Sequence, residues 1–377
     1  MRRNLLLLAV ATVAVAAMML DGSSGAAISG AAASTSAYGR HGARDGHGNR
    51  RHGDGGNRHG QGDRQHGDKD GHGDPQQPVC LIVGHGSYST LQAAQDAATS
   101  GDTLTVKGTC SGVTTISKNL KVVGQSNSAF GTATLDGRDS NSTVVSIDLG
   151  VAVAISDLTI TGARGGGFGI YNSGSLTLTN SIVTDNRDIQ GGGGISNAGS
   201  LTVTHSTITQ NASRSSGGGL SNSGSATLID STVSNNGGRS SGGGISSSGS
   251  LALANSTVTG NTAGDMFGGG IFASGSVTIS HSTVGGNTTG EDGGGIYLMD
   301  GSLALTDSTV SGNTAGRDGG GILIYHGGSA TLTNSTVTGN RAATVFEGYG
   351  GGIFIDGGSL THTNSTVNGN TPDNIFP

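Results

Sequence analysis

The sequence of 377 residues contains no tryptophan, only seven phenylalanines and six tyrosines, four prolines and two cysteines. A globular domain with so few aromatic residues would lack the bulky side chains that usually fill a core. A collagen-like chain is also excluded, because proline is scarce and the 73 glycines do not fall at every third position. These absences favour a solenoid, whose core is a narrow column of isoleucine, valine and leucine.

The first 33 residues have the order of a secretory signal. Arg2 and Arg3 precede an apolar run over residues 5–20, and small residues follow. We therefore predict a signal peptide over residues 1–33, cleaved near Ala27 or Ala33. An uncleaved anchor is the alternative, although the run is slightly short for a membrane span. No later segment is apolar enough to cross a membrane, so no span is expected after cleavage.

The two cysteines support the same interpretation. An even number of cysteines in a secreted chain predicts one disulfide, here between Cys80 and Cys110, with two buried free thiols as the alternative. We therefore expect a secreted or cell-envelope protein, outside the cytoplasm.

Residues 34–78 form a low-complexity linker rich in histidine and glycine. Almost nothing in it is apolar, so we predict that it is disordered. It is interpreted as a solvated spacer, with weak binding of transition metals as the alternative. Its histidines recur every five to seven residues: His41, His47, His52, His59, His66 and His72.

From residue 79 to the C-terminus the chain is predicted to be one β-helix domain. The motif GGGI, with two variants, recurs about every 25 residues, which indicates a structural unit stacked on copies of itself. The apolar residues that close the motif are Ile170, Ile195, Leu220, Ile245, Ile271, Ile296, Ile322 and Ile353. The last interval is the longest, which predicts a larger loop between Arg341 and Tyr349.

Each unit of the repeat predicts three short strands. In the unit 192–216, Leu201, Val203 and Ile208 alternate with threonines, so the apolar residues are expected inside and the threonines outside. Three strands per coil and about 25 residues per coil describe an all-β parallel β-helix of about 11 coils. An asparagine follows the third strand and is expected to stack as a hydrogen-bonded ladder: Asn186, Asn211, Asn236, Asn261, Asn287, Asn313, Asn340 and Asn370.

The residues before the repeat predict a cap and the first coils. Residues 88–98 have helical spacing, with Ser89 or Thr90 able to cap the N-terminus, and this short helix is expected to cover the open end of the column. The strands predicted after it are Leu104–Val106, Thr115–Ile116, Leu120–Val123, Val144–Ile147 and Ile155–Ile160.

These landmarks resemble a known family. The GGGI and Gly-Asn motifs are similar to the repeats of polymorphic outer membrane proteins and of right-handed parallel β-helix proteins of the pectin-lyase-like superfamily. Residues 88–112 resemble the opening of secreted bacterial β-helix proteins of this type. The resemblance implies a right-handed helix over residues 80–377. It does not imply one activity, because this fold carries lyases, hydrolases, adhesins and inert stalks.

The catalytic motifs of the superfamily are missing. The chain has no NTD, RIK or DD motif, and its three GHG motifs precede the first coil. Paired carboxylates for glycoside hydrolysis therefore cannot be assigned. Charged and aromatic residues do recur in the loops between the asparagine and GGG landmarks, and stacking would bring them into one ridge. This candidate binding surface comprises Arg214, Arg239, Asp265, Glu291, Asp292, Arg317, Asp318, Arg341, Phe346, Glu347 and Tyr349; a solvated loop edge is the alternative.

Threonines in T-x-T patterns form a second repetitive surface. Outward threonines at strand spacing make a two-column grid of the kind that ice-binding β-solenoids use, although the pattern is interrupted at Gly285 and Asn368. Complete pairs occur at Thr207 and Thr209, Thr257 and Thr259, and Thr336 and Thr338.

Two main classes of function stay open. The first is a non-catalytic secreted or envelope protein that presents a repetitive surface for adhesion or glycan binding. The second is a lyase or glycoside hydrolase acting on an acidic polysaccharide, for which calcium would be a possible cofactor; otherwise no cofactor and no metal site are expected. Ice binding is a minor alternative. Residues 79–377 have ten Lys and Arg against 18 Asp and Glu, which argues against nucleic acid as a partner, and we expect a monomer.

Overall fold

The computed structural model describes residues 80–189, 191–343 and 348–377, apart from the side chain of Asp139. The predicted signal peptide and linker, together with Phe346 and Glu347, lie outside the described residues. The described residues form a parallel β-solenoid in which each coil adds one strand to each of three long sheets. The expected three-strand coil with a spacing of about 25 residues is therefore confirmed.

Sheet A has 13 strands, and each of its parallel strands is five residues long. Two antiparallel strands, Ser87–Tyr88 and Leu81–Val83, begin it. The parallel strands that follow are Thr103–Lys107, Leu120–Gly124, Ala152–Ser156, Ser175–Thr179, Ser200–Thr204, Ser225–Ile229, Ser250–Ala254, Ser276–Ser280, Ser302–Thr306, Ser329–Thr333 and Ser359–Thr363.

Sheets B and C have 11 strands each. Sheet B contains Thr109–Ser111, Thr134–Ser140, Thr159–Ala163, Ile182–Thr184, Thr207–Thr209, Thr232–Ser234, Thr257–Thr259, Thr283–Gly285, Thr309–Ser311, Thr336–Thr338 and Thr366–Asn368. Sheet C contains Thr114–Ile116, Val145–Ile147, Ile170–Asn172, Ile195–Asn197, Leu220–Asn222, Ile245–Ser247, Ile271–Ala273, Ile296–Met299, Ile322–Tyr325, Ile353–Asp356 and Ile375–Phe376.

A fourth, two-residue strand per coil refines the three-strand description. It follows the ladder asparagine and forms sheet D, whose seven strands are Arg187–Asp188, Ala212–Ser213, Gly237–Gly238, Thr262–Ala263, Thr288–Thr289, Thr314–Ala315 and Arg341–Ala342. A two-residue strand has no alternation of its own, so the sequence pattern carries no signal for it.

The core is the column of inward-facing aliphatic side chains. Leu201, Val203 and Ile208 are buried, while the threonines that alternate with them are partly exposed, as predicted. From Ile170 onward the same positions pair coil after coil, so that Ile322 still pairs with Ile353 across the longest interval. The extra residues therefore enter the loop between them and leave the register of the core unchanged.

The N-terminal cap is formed by one helix, α1 (Leu91–Ala97). The hydroxyl of Thr90 accepts a hydrogen bond from the amide of Ala93, so Thr90 is the N-cap. Lys118 donates to three carbonyl groups at the other end of α1, at 2.7–3.0 Å. Helix α1 starts later than predicted, because Tyr88 belongs to a sheet A strand. In the described residues α1 is the only helix, and it is too short to cross a membrane.

The cysteine prediction is confirmed by a disulfide between Cys80 and Cys110. The bond joins the segment before the cap to the first strand of sheet B, and Cys110 is buried.

One strand prediction is wrong. Residues 155–160 form parts of two strands, Ala152–Ser156 and Thr159–Ala163, separated by a corner at Asp157 with φ of 59°. Residues in this left-handed conformation end every sheet A strand from here onward, and asparagine, aspartate or histidine occupies the corner because these side chains tolerate it best. The corner residues are Asp157, Asn180, His205, Asp230, Asn255, His281, Asp307, Asn334 and Asn364.

Two buried polar ladders flank sheet B. On one side each ladder asparagine donates from its amide nitrogen to the amide oxygen of the next, for example Asn236 to Asn261 at 3.0 Å. On the other side a serine follows each corner residue from Asn180 onward. From Ser206 onward its hydroxyl accepts the backbone N–H of the serine one coil earlier, for example Ser231 N–H to Ser256 at 3.1 Å. This serine ladder was not predicted; it comprises Ser181, Ser206, Ser231, Ser256, Ser282, Ser308, Ser335 and Ser365.

Candidate binding surface

The outward face of sheet C changes character along the solenoid. The residue after each closing isoleucine or leucine of the repeat points outward, and it is serine in the coils at Ser196, Ser221 and Ser246. From residue 272 to the C-terminus the same position carries Phe272, Tyr297, Leu323, Phe354 and Phe376. We call these five residues, with Phe267 and Tyr349 from the adjoining loops, the aromatic strip.

Ring contacts join the strip into two groups. Tyr297 lies 4.6 Å from Phe267 and 5.6 Å from Phe272, measured between ring centroids. Phe376 lies 4.4 Å from Tyr349 and 5.8 Å from Phe354. In the middle of the strip, Tyr297 and Leu323 are each 2% exposed. Tyr349, at the C-terminal end, is 37% exposed. The strip therefore offers partly exposed rings at both ends of a well-packed middle.

The inward face of sheet C changes over the same coils. Asn172 donates to Asn197, which donates to Asn222, and Asn222 donates to Ser247 at 3.0 Å. In the next coils this inward position is apolar, with buried Ala273, Leu298 and Ile324. The aromatic strip thus lies over the part of sheet C that has an apolar inner column.

Charged loop residues lie beside the middle of the strip. Arg317 contacts Glu291 at 3.4 Å and Asp292 at 3.6 Å. Asp292 accepts the backbone N–H of Asp318 at 3.1 Å, and Asp318 accepts the backbone N–H of Tyr349 at 2.8 Å. These carboxylates therefore satisfy the backbone of the following coil as well as carrying charge.

The carboxyl group of Asp292 is buried and its pKa is raised. Burial raises its pKa from 3.8 to about 6, and the positive charge of Arg317 and the Asp318 N–H offset only part of the effect. Burial also raises the pKa of Tyr297, with the charge of Asp292 as the second cause. The surface therefore holds a neutral phenol and a carboxyl group that gains a proton just below neutral pH.

The ridge predicted from the sequence is only partly assembled. Glu291, Asp292, Arg317, Asp318 and Tyr349 come together as described. Arg239 and Asp265 form a separate, exposed ion pair at 2.8 Å, and Arg214 and Arg341 are exposed. Among the described residues no group of three or more His, Cys, Asp or Glu side chains is placed to hold a metal ion.

The chain matches a family model described as the right handed beta helix region, over residues 142–301 and 219–372. These two matches together span more than half of the sequence. The chain belongs to the right-handed β-helix family. The resemblance read from the GGGI and Gly-Asn motifs, including the right-handed coil, is therefore confirmed.

Two solved structures are similar to this chain. The β-helix is similar to the A-module of the Azotobacter vinelandii mannuronan C-5 epimerase AlgE6, with 14% identity, a TM-score of 0.47, and 76% of this chain and 93% of the module covered. It is similar to pectate lyase Pel9A with 16% identity, a TM-score of 0.36 and 74% of each chain covered. No curated protein matches the sequence.

Sequence reasoning missed most of the aromatic strip in this β-helix. Of its seven residues only Tyr349 was among the predicted site residues. The signal is present in the repeat, because the position after the closing isoleucine must face outward when the isoleucine faces inward. Reading that position down the coils gives Tyr171, then three serines, and then aromatic residues interrupted by Leu323, without any knowledge of the loops.

We expect Asp292→Asn to change how the stability of this β-helix depends on pH. A folded-state pKa of about 6 lies above the ordinary value of 3.8, so the group stabilises the fold below pH 3.8 and this contribution is lost as the pH rises through about 6. The loss amounts to at most about 3 kcal/mol. Asparagine remains neutral and keeps an acceptor for the Asp318 N–H. The stability of the variant relative to the wild type should therefore be greater at pH 8 than at pH 4.5.

Urea unfolding at the two pH values measures this difference. The control is Glu291→Gln, because Glu291 is a half-exposed neighbour that contacts the same arginine. Parallel pH profiles for the wild type and Asp292→Asn would contradict the assignment.

Proposed function

We propose that this protein is a secreted, non-catalytic β-helix that binds neutral glycans along the aromatic strip of sheet C. The observation that carries the proposal is the change of one outward column from serine to aromatic residues over the last coils. Aromatic faces supply a large contact area at a small entropic cost, and they are the usual anchors of binding surfaces. A disulfide between Cys80 and Cys110 supports a location outside the cytoplasm.

The spacing of the strip suits an extended polymer. Coils of a parallel β-helix are separated by about 4.8 Å, so equivalent rings in successive coils repeat at a distance similar to the length of one sugar unit. A glycan lying parallel to the solenoid axis would therefore meet Phe272 and Phe354 with different sugar units. Polar groups on Arg317 and Glu291 lie beside the rings and supply hydrogen-bond donors and acceptors.

Charge decides which glycans fit. Glu291 and Asp292 contact Arg317, and the backbone of Asp318 bonds to Asp292, so three carboxyl groups accompany one positive charge beside the strip. Like charges disfavour association, and an acidic polysaccharide would meet carboxylates here. This argues for neutral glycans, and it weakens the alternative of a lyase or hydrolase acting on acidic polysaccharides.

Glycan-array binding followed by calorimetry on the purified full chain tests the proposal. The wild type should bind neutral oligosaccharides, and Phe354→Ala should weaken binding roughly fivefold or more, because loss of an aromatic contact costs about 1 kcal/mol or more. The matched control is Tyr171→Ala, since Tyr171 is an exposed aromatic residue in the same outward column outside the strip. Equal losses in both variants would contradict a site on the strip.

Turnover assays separate the two classes of function. Incubation with neutral and acidic polysaccharides, with and without calcium, should yield no new reducing ends and no unsaturated product absorbing in the ultraviolet. Product formation would overturn the non-catalytic proposal.

A further inference from the structure

The outward face of sheet B carries a regular array of hydroxyl side chains. Its first outward column is threonine in seven successive coils: Thr207, Thr232, Thr257, Thr283, Thr309, Thr336 and Thr366. Its second column is Thr209, Ser234, Thr259, Gly285, Ser311, Thr338 and Asn368. The interruptions seen in the sequence therefore fall only in the second column. We call these fourteen positions the hydroxyl face.

The first-column hydroxyls are available to solvent. None of the seven has a hydrogen-bond partner within the described part of the chain, and all seven residues are partly or fully exposed. Threonine is stiff at χ1, so methyl and hydroxyl groups keep a fixed arrangement on a strand. The groups repeat about 4.8 Å apart between coils and about 7 Å apart between the two columns, which are two residues apart along each strand.

The hydroxyl face is held rigid from both sides. The serine ladder precedes each strand of the hydroxyl face, and the asparagine ladder follows it, as with Ser256 and Asn261 around Thr257–Thr259. Apart from the partly exposed Ser365, both ladders are buried, and they link each coil of the hydroxyl face to the next. Because two hydrogen-bonded columns fix the register on either side, the threonine columns cannot slip or fan out. A surface ordered before binding avoids the entropic cost of being ordered on binding.

The hydroxyl face carries no charged residue from Thr207 to Asn368. Charged and titratable side chains occur instead among the left-handed corner residues, where His205 lies 3.5 Å from Asp230 and His281 lies 3.6 Å from Asp307. A charged macromolecule would find little to attract it on such a surface. A ligand that is itself an uncharged, periodic array of hydrogen-bonding groups matches it better.

We propose that the hydroxyl face binds ice. Planes of hexagonal ice present oxygen atoms that repeat in two directions at spacings similar to those of the face. Threonine hydroxyls can take the place of lattice waters, and the methyl groups lie between them and order further water. This site is separate from the aromatic strip, since it lies on another sheet, and it does not rest on the proposed glycan binding.

Incorporation of the fluorescently labelled full chain into a growing ice hemisphere, together with inhibition of ice recrystallisation, tests the inference. The wild type should enter the ice and slow recrystallisation. Thr257→Lys should abolish both effects, because it places a long charged side chain in the middle of the first column. Thr309→Tyr should do the same with an uncharged, strand-favouring residue, which keeps the test valid if the lysine variant folds poorly.

The matched control is Ser246→Lys, an outward residue of sheet C in the same coil as Thr257. It should behave as the wild type. Exclusion of the wild-type protein from ice would overturn the inference, as would an equal loss in Ser246→Lys. Glycan binding measured on Thr257→Lys and Thr309→Tyr should be unchanged, because both residues lie on another sheet than the aromatic strip. A failure of either proposal can therefore be distinguished from a failure of the other.

Discussion

Asn261→Ala is expected to lower the free energy of unfolding by roughly 4 kcal/mol or more. The reason is that several buried donors and acceptors lose their partners at once, and each buried polar group left without a partner costs about 1–3 kcal/mol. Asn261 is fully buried in the middle of the ladder. Its side-chain oxygen accepts from both the backbone N–H and the amide group of Asn236, each at 3.0 Å. Its amide nitrogen donates to Asn287 at 2.9 Å and to the carbonyl of Val233 at 3.0 Å.

Chemical and thermal unfolding of the full chain measure this loss. Thr288→Ala is the matched control, because Thr288 is an exposed residue close behind the next ladder asparagine. It should change the free energy of unfolding by less than about 0.5 kcal/mol. If Asn261→Ala unfolds at the same urea concentration as Thr288→Ala, the ladder is not a main source of stability.

Gly269→Ala is expected to have an effect of similar or larger size, because a methyl group does not fit between the coils. A Cβ atom on Gly269 would lie 2.5 Å from the carbonyl oxygens of both Gly294 and Thr288. Those oxygens belong to the backbone of the next coil, which pairs in register and cannot move away without opening the sheets. We expect a loss on the order of 4 kcal/mol or failure to fold.

Gly237→Ala provides the comparison that isolates the steric effect. Gly237 lies in sheet D, a Cβ atom there would meet nothing within 4 Å, and its φ is not in the left-handed region. The substitution should therefore be neutral or stabilise by about 0.5 kcal/mol through the unfolded state. Similar destabilisation by the two substitutions would contradict the close approach of coils at the GGG motif.

These two predictions explain how a repeat with few bulky residues specifies one register. Burial of apolar residues such as Ile245 and Ile271 stabilises the stack of coils, but the register of similar strands can slip by one position. A slip would place Asn261 against an aliphatic position and leave its hydrogen bonds unmade. The asparagine and serine ladders therefore select the register that the aliphatic column stabilises.

The candidate site was less predictable than the fold. Arg239 and Arg317 occupy equivalent loops in the repeat, yet Arg239 forms an exposed pair with Asp265 while Arg317 lies beside the buried Asp292. The packing of Phe267 against Tyr297, beside Asp292, separates the two cases. This packing does not follow from periodicity, because loops between equivalent strands differ in sequence and direction without disturbing the core.

The sequence by itself determined the coil, its period, the inward and outward residues of each strand, the asparagine ladder and the Cys80–Cys110 bond. These features follow from short-range rules: alternation on strands, turn preferences of asparagine and glycine, and repetition at a constant interval. Only the tertiary structure decided which outward residues meet. Stacking about 4.8 Å apart turns residues some 25 positions distant into neighbours, and this produced the aromatic strip, the buried carboxyl group of Asp292, the serine ladder and the uninterrupted first column of threonines.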